Sequence, residues 1–270
     1  MKNLKNILAG GLFGISSFFF TQCSQDPHSV PKNSAPLTKE EINHVFGDLN
    51  PGLKEALYSS KVYFLKNEDF LEHLENKYLG GHTFYDALNK EINVCFPIGK
   101  DSLKNFKYVR AHESAHARNY YLDYFLNSNF SDEWKQIANF EYDLNKVTVL
   151  EESGICTFFW KDGASEPKYG LIKPYSATNI REDVANFVEL IGRNSFLNPE
   201  DISYLFEGET KNEGILIKDY ASSFPLHFAD TTDHRYQKKL DLLKEYNFLT
   251  NEEHKKLTKD LGSLNYLLKK

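Results

Sequence analysis

The five residues His112-Glu113-Ser114-Ala115-His116 constrain this chain more than any other stretch of it. They lie in a segment predicted to be helical over about 102–126, and a spacing of i and i+4 stacks the two imidazoles one turn apart on one helix face. Two imidazoles so placed can share one metal ion, and zinc is the ion that this ligand type and spacing favour. Glu113, one position on, can reach the open side of such an ion and take a proton from water there. Shuffling a chain of this composition would produce the pattern only about 0.02 times, so coincidence is a poor explanation. The bland alternative is a surface helix with two solvated histidines. Phe106, Val109 and Tyr120, at helical spacing around the pair, argue instead for a face turned inward.

Two histidines do not complete a catalytic zinc site, which takes three protein ligands and leaves one position open. The extended form with a third histidine fails, because Asn119 stands where its glycine would be and Leu122 where its histidine would be. A carboxylate from a later helix is the remaining common choice. Glu182, near the start of a predicted helix over 180–191, is the first candidate, with Val184, Phe187, Val188 and Ile191 giving that helix its packing side. Acidic residues are also favoured at any helix N-terminus by the dipole, an ordinary reading of Glu182 and Asp183. Asp233, in DTTDHRY, is the alternative third ligand. Glu151 and Glu152 read as solvated carboxylates. No G-x-S-x-G surrounds any serine, Cys156 has no nucleophile signature, and no glycine-rich phosphate loop is present.

The segment from Gly170 through Tyr175 to Glu182-Asp183-Val184-Ala185, taken with the histidine pair, resembles the G…YA…EDFAE signature of gluzincins of the lethal-factor-like kind. It is also similar to zinc metallopeptidase lipoproteins found alongside nutrient-import systems. The resemblance covers His112 to His116 and residues 170–189. It implies an α+β, zincin-like metallopeptidase domain, mostly helical with a small sheet, in which Glu182 is the third zinc ligand. It further implies that the Tyr175 hydroxyl stabilises the oxyanion of the reaction. One departure stands out: Asn186 replaces the second glutamate of EDFAE, the residue that would orient a ligand histidine. An amide oxygen can accept the same hydrogen bond without charge, and Asp183 could compensate if it faces inward.

The first 36 residues concern location. Lys2 and Lys5 precede an uncharged run over 7–20, too short to span a bilayer of ~30 Å as a helix, which is the layout of a secretory signal. Cys23 follows where bacterial lipoprotein signals place the lipid-modified cysteine, although Gln22 is larger than the residue usual before it. The expectation is a signal over 1–23 with lipidation at Cys23, giving an extracytoplasmic protein held to a membrane by its anchor; a plain secreted or periplasmic protein and an uncleaved anchor are the alternatives. Residues 24–36, with three prolines and three serines, read as a flexible tether.

From 37 to 270 no linker or repeat interrupts the pattern, and one domain is expected. Removing residues 1–23 takes away two lysines and no acid, so a net charge of −6 becomes −8, which disfavours a nucleic-acid partner. Cys95 and Cys156 are open to either a disulfide or burial as free thiols. Expected elements are a helix capped by Thr38, strands at 61–65 and 92–96, helices over 67–79 and 102–126, a helix capped by Ser131, a strand at 156–160, the helix over 180–191, and a helical last third. The function expected is hydrolysis of peptide or protein substrates with zinc as cofactor. A binding module on a metallopeptidase-like fold and a hydrolase of non-protein amides are the other readings.

Overall fold

The computed structural model of the chain describes residues 30, 34–65, 81–96, 107–152, 155–160, 170–172, 174–192 and 233–267, with no account of side chains over 148–160 or 262–267. The expected signal, Cys23 and the helix over 67–79 lie outside the described residues. Among those described, no helix is long and apolar enough to cross a membrane.

The fold is α+β, predominantly helical, with one three-stranded sheet. Helix α1 (Lys39–Phe46) opens on the Thr38 cap expected from sequence, and Glu41 reaching back to the cap makes it a capping box. It stops at Gly47, and a second helix, α2 (Pro51–Tyr58), begins from an Asn50 cap with proline in its first turn. Strands β1 (Lys61–Phe64), β2 (His82–Asp86) and β3 (Glu91–Phe96) form a sheet in the order β1-β3-β2, with β1 parallel and β2 antiparallel to β3. Strand β2 was not legible in advance, because HTFYD carries no clean polar–apolar alternation. Pairing with β3 through Thr83 opposite Val94 decides it. A separate antiparallel pair, β4 (Val147–Glu152) and β5 (Ile155–Trp160), contains the expected strand at 156–160 and also Glu151 and Glu152.

Helix α3 (Lys107–Tyr124) runs through the middle of the molecule, and α4 (Phe130–Ala138), α5 (Ile180–Gly192), α6 (His234–Glu245) and α7 (Asn251–Leu267) complete the helical side. Ser131 does not cap α4. The cap position is Asn129, while Ser131 Oγ donates to Asp123 and accepts from Asn119, tying α4 to α3. The helix ends at Asn139 in the left-handed region (φ 44), earlier than the sequence pattern suggested.

One apolar core joins the inner face of the sheet (Val62, Ile92, Val94, Phe96) to α1, α2 and α3, and continues past α3 into Phe130, Trp134, Phe187, Tyr236 and Phe248. Each such large side chain removed from water contributes roughly 1.5–3 kcal/mol. The outer face of the sheet carries Tyr63, Leu65, Phe84 and Cys95, and Val30 packs on it. Val30 belongs to the stretch expected to be a free tether, so at that point the chain is held against the domain by an apolar face that would otherwise meet water. Cys95 is a buried free thiol, and burial pushes its pKa up; the side chain of Cys156 lies outside the described residues.

Because α3 is enclosed by the sheet, α2 and α5, its charges need partners. Arg110 donates to the Val45 carbonyl and to Asp48; Arg118 donates to the Tyr246 carbonyl and Glu55. Small residues Ala111, Ala115 and Ala117 allow the close approach of its neighbours.

Candidate metal centre

His112 and His116 occupy successive turns of α3, both buried, and Glu182 lies on the first turn of α5. His112 Nε2 is 3.3 Å from Glu182 Oε2, His116 Nε2 is 3.6 Å from Glu182 Oε1, and the two Nε2 atoms are 3.1 Å apart. One donor atom from each of the three residues lies within 4.8 Å of the other two, so this buried group can hold a metal ion. Asp233 is not part of it. That carboxylate caps the N-terminus of α6 and pairs with Arg235.

The helices explain why Glu182 faces the histidines. Side chains turn by about 100° per residue, so Asp183 points roughly a quarter-turn away from Glu182. There Asp183 accepts from Trp134 Nε1 (2.8 Å), Tyr142 Oη (2.7 Å) and Lys239 Nζ (2.6 Å). Both ends of the Lys239–Asp183 pair are fully buried, and Lys239 also donates to the Gly170 carbonyl. This network fixes the rotation of α5 and thereby aims Glu182. Asp183 does face inward, but toward α4 and α6 and not toward a ligand histidine.

The residue that orients His112 is Glu189. Its Oε2 is 3.3 Å from His112 Nδ1, inside the protein. Seven positions separate it from Glu182, which is two turns less about 20°, so the two carboxylates lie along one stripe of α5. Asn186, expected in that role, turns to Ser176, donating from Nδ2 to Oγ at 2.9 Å. The period-seven spacing was the signal available in the sequence, obscured by a family pattern that places the carboxylate three residues earlier. Helices α3 and α5 run antiparallel, since Glu189 meets His112 while Arg181 meets Asp123.

Glu113 is fully buried. Its Oε2 accepts from Thr83 Oγ1 at 2.7 Å, and its Oε1 has no hydrogen-bond partner among the described residues. Gly81 lies against the same carboxyl: a Cβ there would fall 2.5 Å from Glu113 Cγ and 2.9 Å from Oε1. Strand β2 and the glycine before it thus form a cradle for Glu113, and neither residue was identifiable from sequence because the contact spans 30 positions. Tyr175 is buried in a short 3-10 turn (Pro174–Ala177) that leads into α5.

Electrostatics follow from enclosure. Burial pushes the Glu113 carboxyl up, against the pull of His112 and the Thr83 hydrogen bond, to about 7. Burial opposes the His112 imidazolium, yet bonds to Glu182 and Glu189 outweigh it and raise that pKa to about 9. Burial lowers that of His116. For Glu182, burial alone would raise the pKa, but the facing imidazoles hold the carboxyl well below the usual range. Enclosure thus leaves the Glu182 carboxylate ionised between two imidazoles, with the buried Glu113 carboxyl beside them. No protein-family model, curated protein or solved structure matches the chain.

Proposed function

We propose that this protein is a zinc-dependent metallopeptidase of the gluzincin type, on a zincin-like fold, working outside the cytoplasm and held at a membrane by a lipid on Cys23. The observation that carries the reading is Glu113: a fully buried carboxylate with one oxygen held by Thr83 and the other unpartnered among the described residues, next to three converged metal donors. Burying such a group costs several kcal/mol, and a pure binding module has no use for it.

His112, His116 and Glu182 would hold the metal. The two Nε2 atoms stand 3.1 Å apart and each faces one oxygen of the Glu182 carboxylate, at 3.3 and 3.6 Å, so imidazole and carboxylate donors of the kind zinc takes converge on one place. Two imidazoles and one carboxylate are also a donor set that leaves a fourth position open. Zinc in this place supplies Lewis acidity, acidifying water and polarising a substrate carbonyl. Glu113, held by Thr83 through Oε2 with Oε1 unpartnered among the described residues, would accept a proton from water there and pass it to the departing amine. Glu189 keeps His112 oriented through Nδ1. Tyr175 donates to the developing oxyanion, a contact worth on the order of 3 kcal/mol for comparable donors.

The test is Glu113→Gln, which should retain one zinc per chain and lose peptide hydrolysis. Cleavage at the parent rate would exclude the mechanism. Glu182→Ala should lose zinc, and full zinc occupancy in that variant would remove Glu182 from the ligand set.

A further inference from the structure

Aromatic residues from β2 and α3 gather beyond the metal centre, and α5 adds a cation to them. On β2 the next residue on the face of Thr83, which holds Glu113, is Tyr85. On α3 the residues one and two turns past His116 are Tyr120 and Tyr124. On α5 the residue before Glu182 is Arg181. The rings from β2 and α3 meet, and Arg181, a quarter-turn round α5 from Glu182, reaches them. Tyr85 and Tyr124 stack with ring centroids 4.0 Å apart and planes 2° apart. Tyr120 lies 6.2 Å from Tyr85, the Arg181 guanidinium sits 4.5 Å from the Tyr120 ring, and Phe125 meets Tyr85 edge-on. Tyr120 is 8% exposed, whereas Tyr124 and Phe125, at the end of the helix, are 52% and 45% exposed.

Half-exposed rings in contact with one another form an apolar patch of the sort that marks a binding surface. Among the described residues the cation on it, Arg181, is matched, because it donates to Asp123 at 3.0 Å; the patch offers ring faces and edges. We propose that this wall is a substrate subsite that takes an aromatic side chain, offset-stacked or edge-on. The inference rests on the metallopeptidase reading above and names the substrate class for it. Continuity with the metal centre along β2 and α3, which carry both the groups of the centre and the rings, is what selects a peptide side chain as the occupant. Tyr85 is about 7 Å along the strand from Thr83, and Tyr124 about 12 Å along the helix from His116. An extended peptide advances about 3.3 Å per residue, so the aromatic residue stands about two to four positions from the scissile bond.

The experiment uses the full chain loaded with zinc and fluorescent decapeptides that carry Phe or Ala at each position in turn. Equilibrium binding is read by anisotropy in a Glu113→Gln background, and cleavage by mass spectrometry with the parent. Phe at the subsite position should tighten binding about tenfold over Ala, near the low end of what filling an apolar pocket gives. In Tyr124→Ser and Tyr85→Ser this preference should fall to within twofold, while Tyr124→Phe, which keeps the ring, should retain it. Tyr124 is exposed enough for its replacement to leave folding intact, which a thermal melt checks. Absence of an aromatic preference in the parent, or its survival in both serine variants, overturns the subsite; if cleavage then persists, the metallopeptidase reading stands without it. Tyrosine-dependent binding without any cleavage has the opposite meaning, retaining the subsite and refuting the peptidase. Loss of self-association or of vesicle binding in these variants, with peptide binding unchanged, would assign the patch to a second copy or a lipid surface and overturn the proposal.

Discussion

Replacing Glu189 probes the part of the centre that family patterns place elsewhere. In the structure His112 is held from both sides: Nε2 faces Glu182 and the metal position, and Nδ1 faces Glu189 Oε2 at 3.3 Å. Glu189 is 6% exposed, so water cannot readily substitute for it. A hydrogen bond to a charged group in such surroundings is worth about 1.5–3 kcal/mol. At about 1.4 kcal/mol per decade, its loss corresponds to roughly 10- to 150-fold in zinc affinity if all of it is felt at the metal. Partners that orient metal-bound histidines cost about 10- to 100-fold when removed, and the two routes agree. Glu189→Ala should therefore bind zinc about 10- to 100-fold more weakly than the parent. Glu189→Gln, which keeps an acceptor and drops the charge, should lose tenfold or less. Asn186→Ala should bind zinc within about threefold of the parent, because Asn186 bonds to Ser176 instead of a histidine. The assay is competition for zinc against a chromogenic chelator at fixed pH, with metal-free thermal melts to confirm that each variant is folded. Glu189→Ala binding within twofold of the parent, or Asn186→Ala showing the greater loss, would refute the reasoning.

Three other expectations follow from named contacts. Lys239→Met leaves the buried Asp183 carboxylate with two neutral donors and no countercharge, costing about 3–5 kcal/mol and about 6–20 °C in Tm; adding Asp183→Asn should restore much of it, and a double variant no better than the single would contradict the ion-pair account. Gly81→Ala places a methyl group 2.5 Å from Glu113 Cγ, so turnover should fall about tenfold or more with zinc stoichiometry unchanged, and unaltered kcat would show that the carboxyl does not depend on this cradle. Burial pushes the Asp48 carboxyl up, but Arg110 more than offsets this and holds it below its ordinary value; stabilisation is thus present above about pH 3.9 and lost as pH falls through the lowered folded-state pKa. Since Asp48 is half-exposed, urea unfolding should show Asp48→Asn less stable than the parent by only about 1 kcal/mol at pH 7, with the gap closing in acid; an undiminished gap would reject the linkage.

Local chemistry determined a good part of this protein from sequence alone. The Thr38 cap, the i, i+4 histidines and the apolar stripe of the helix bearing Glu182 act over a few residues, where spacing dictates which side chains share a face. Glu182 was one of several acidic helix starts after the histidine helix, with Asp132-Glu133 and Glu252-Glu253, and it was the resemblance over residues 170–185 that singled it out. What sequence could not decide is which of several buried polar groups meet. Asp183, Asn186 and Glu189 sit on one helix with similar credentials, and only its packing against α3 on one side and α4 and α6 on another sends Asp183 to Lys239, Asn186 to Ser176 and Glu189 to His112. Likewise Thr83 and Gly81 belong to the centre only because β2 pairs with β3 and lies beside α3. Periodicity gives the direction of a side chain relative to its own axis; the partner at the end of that direction depends on how the axes pack, and burial leaves each polar group needing one.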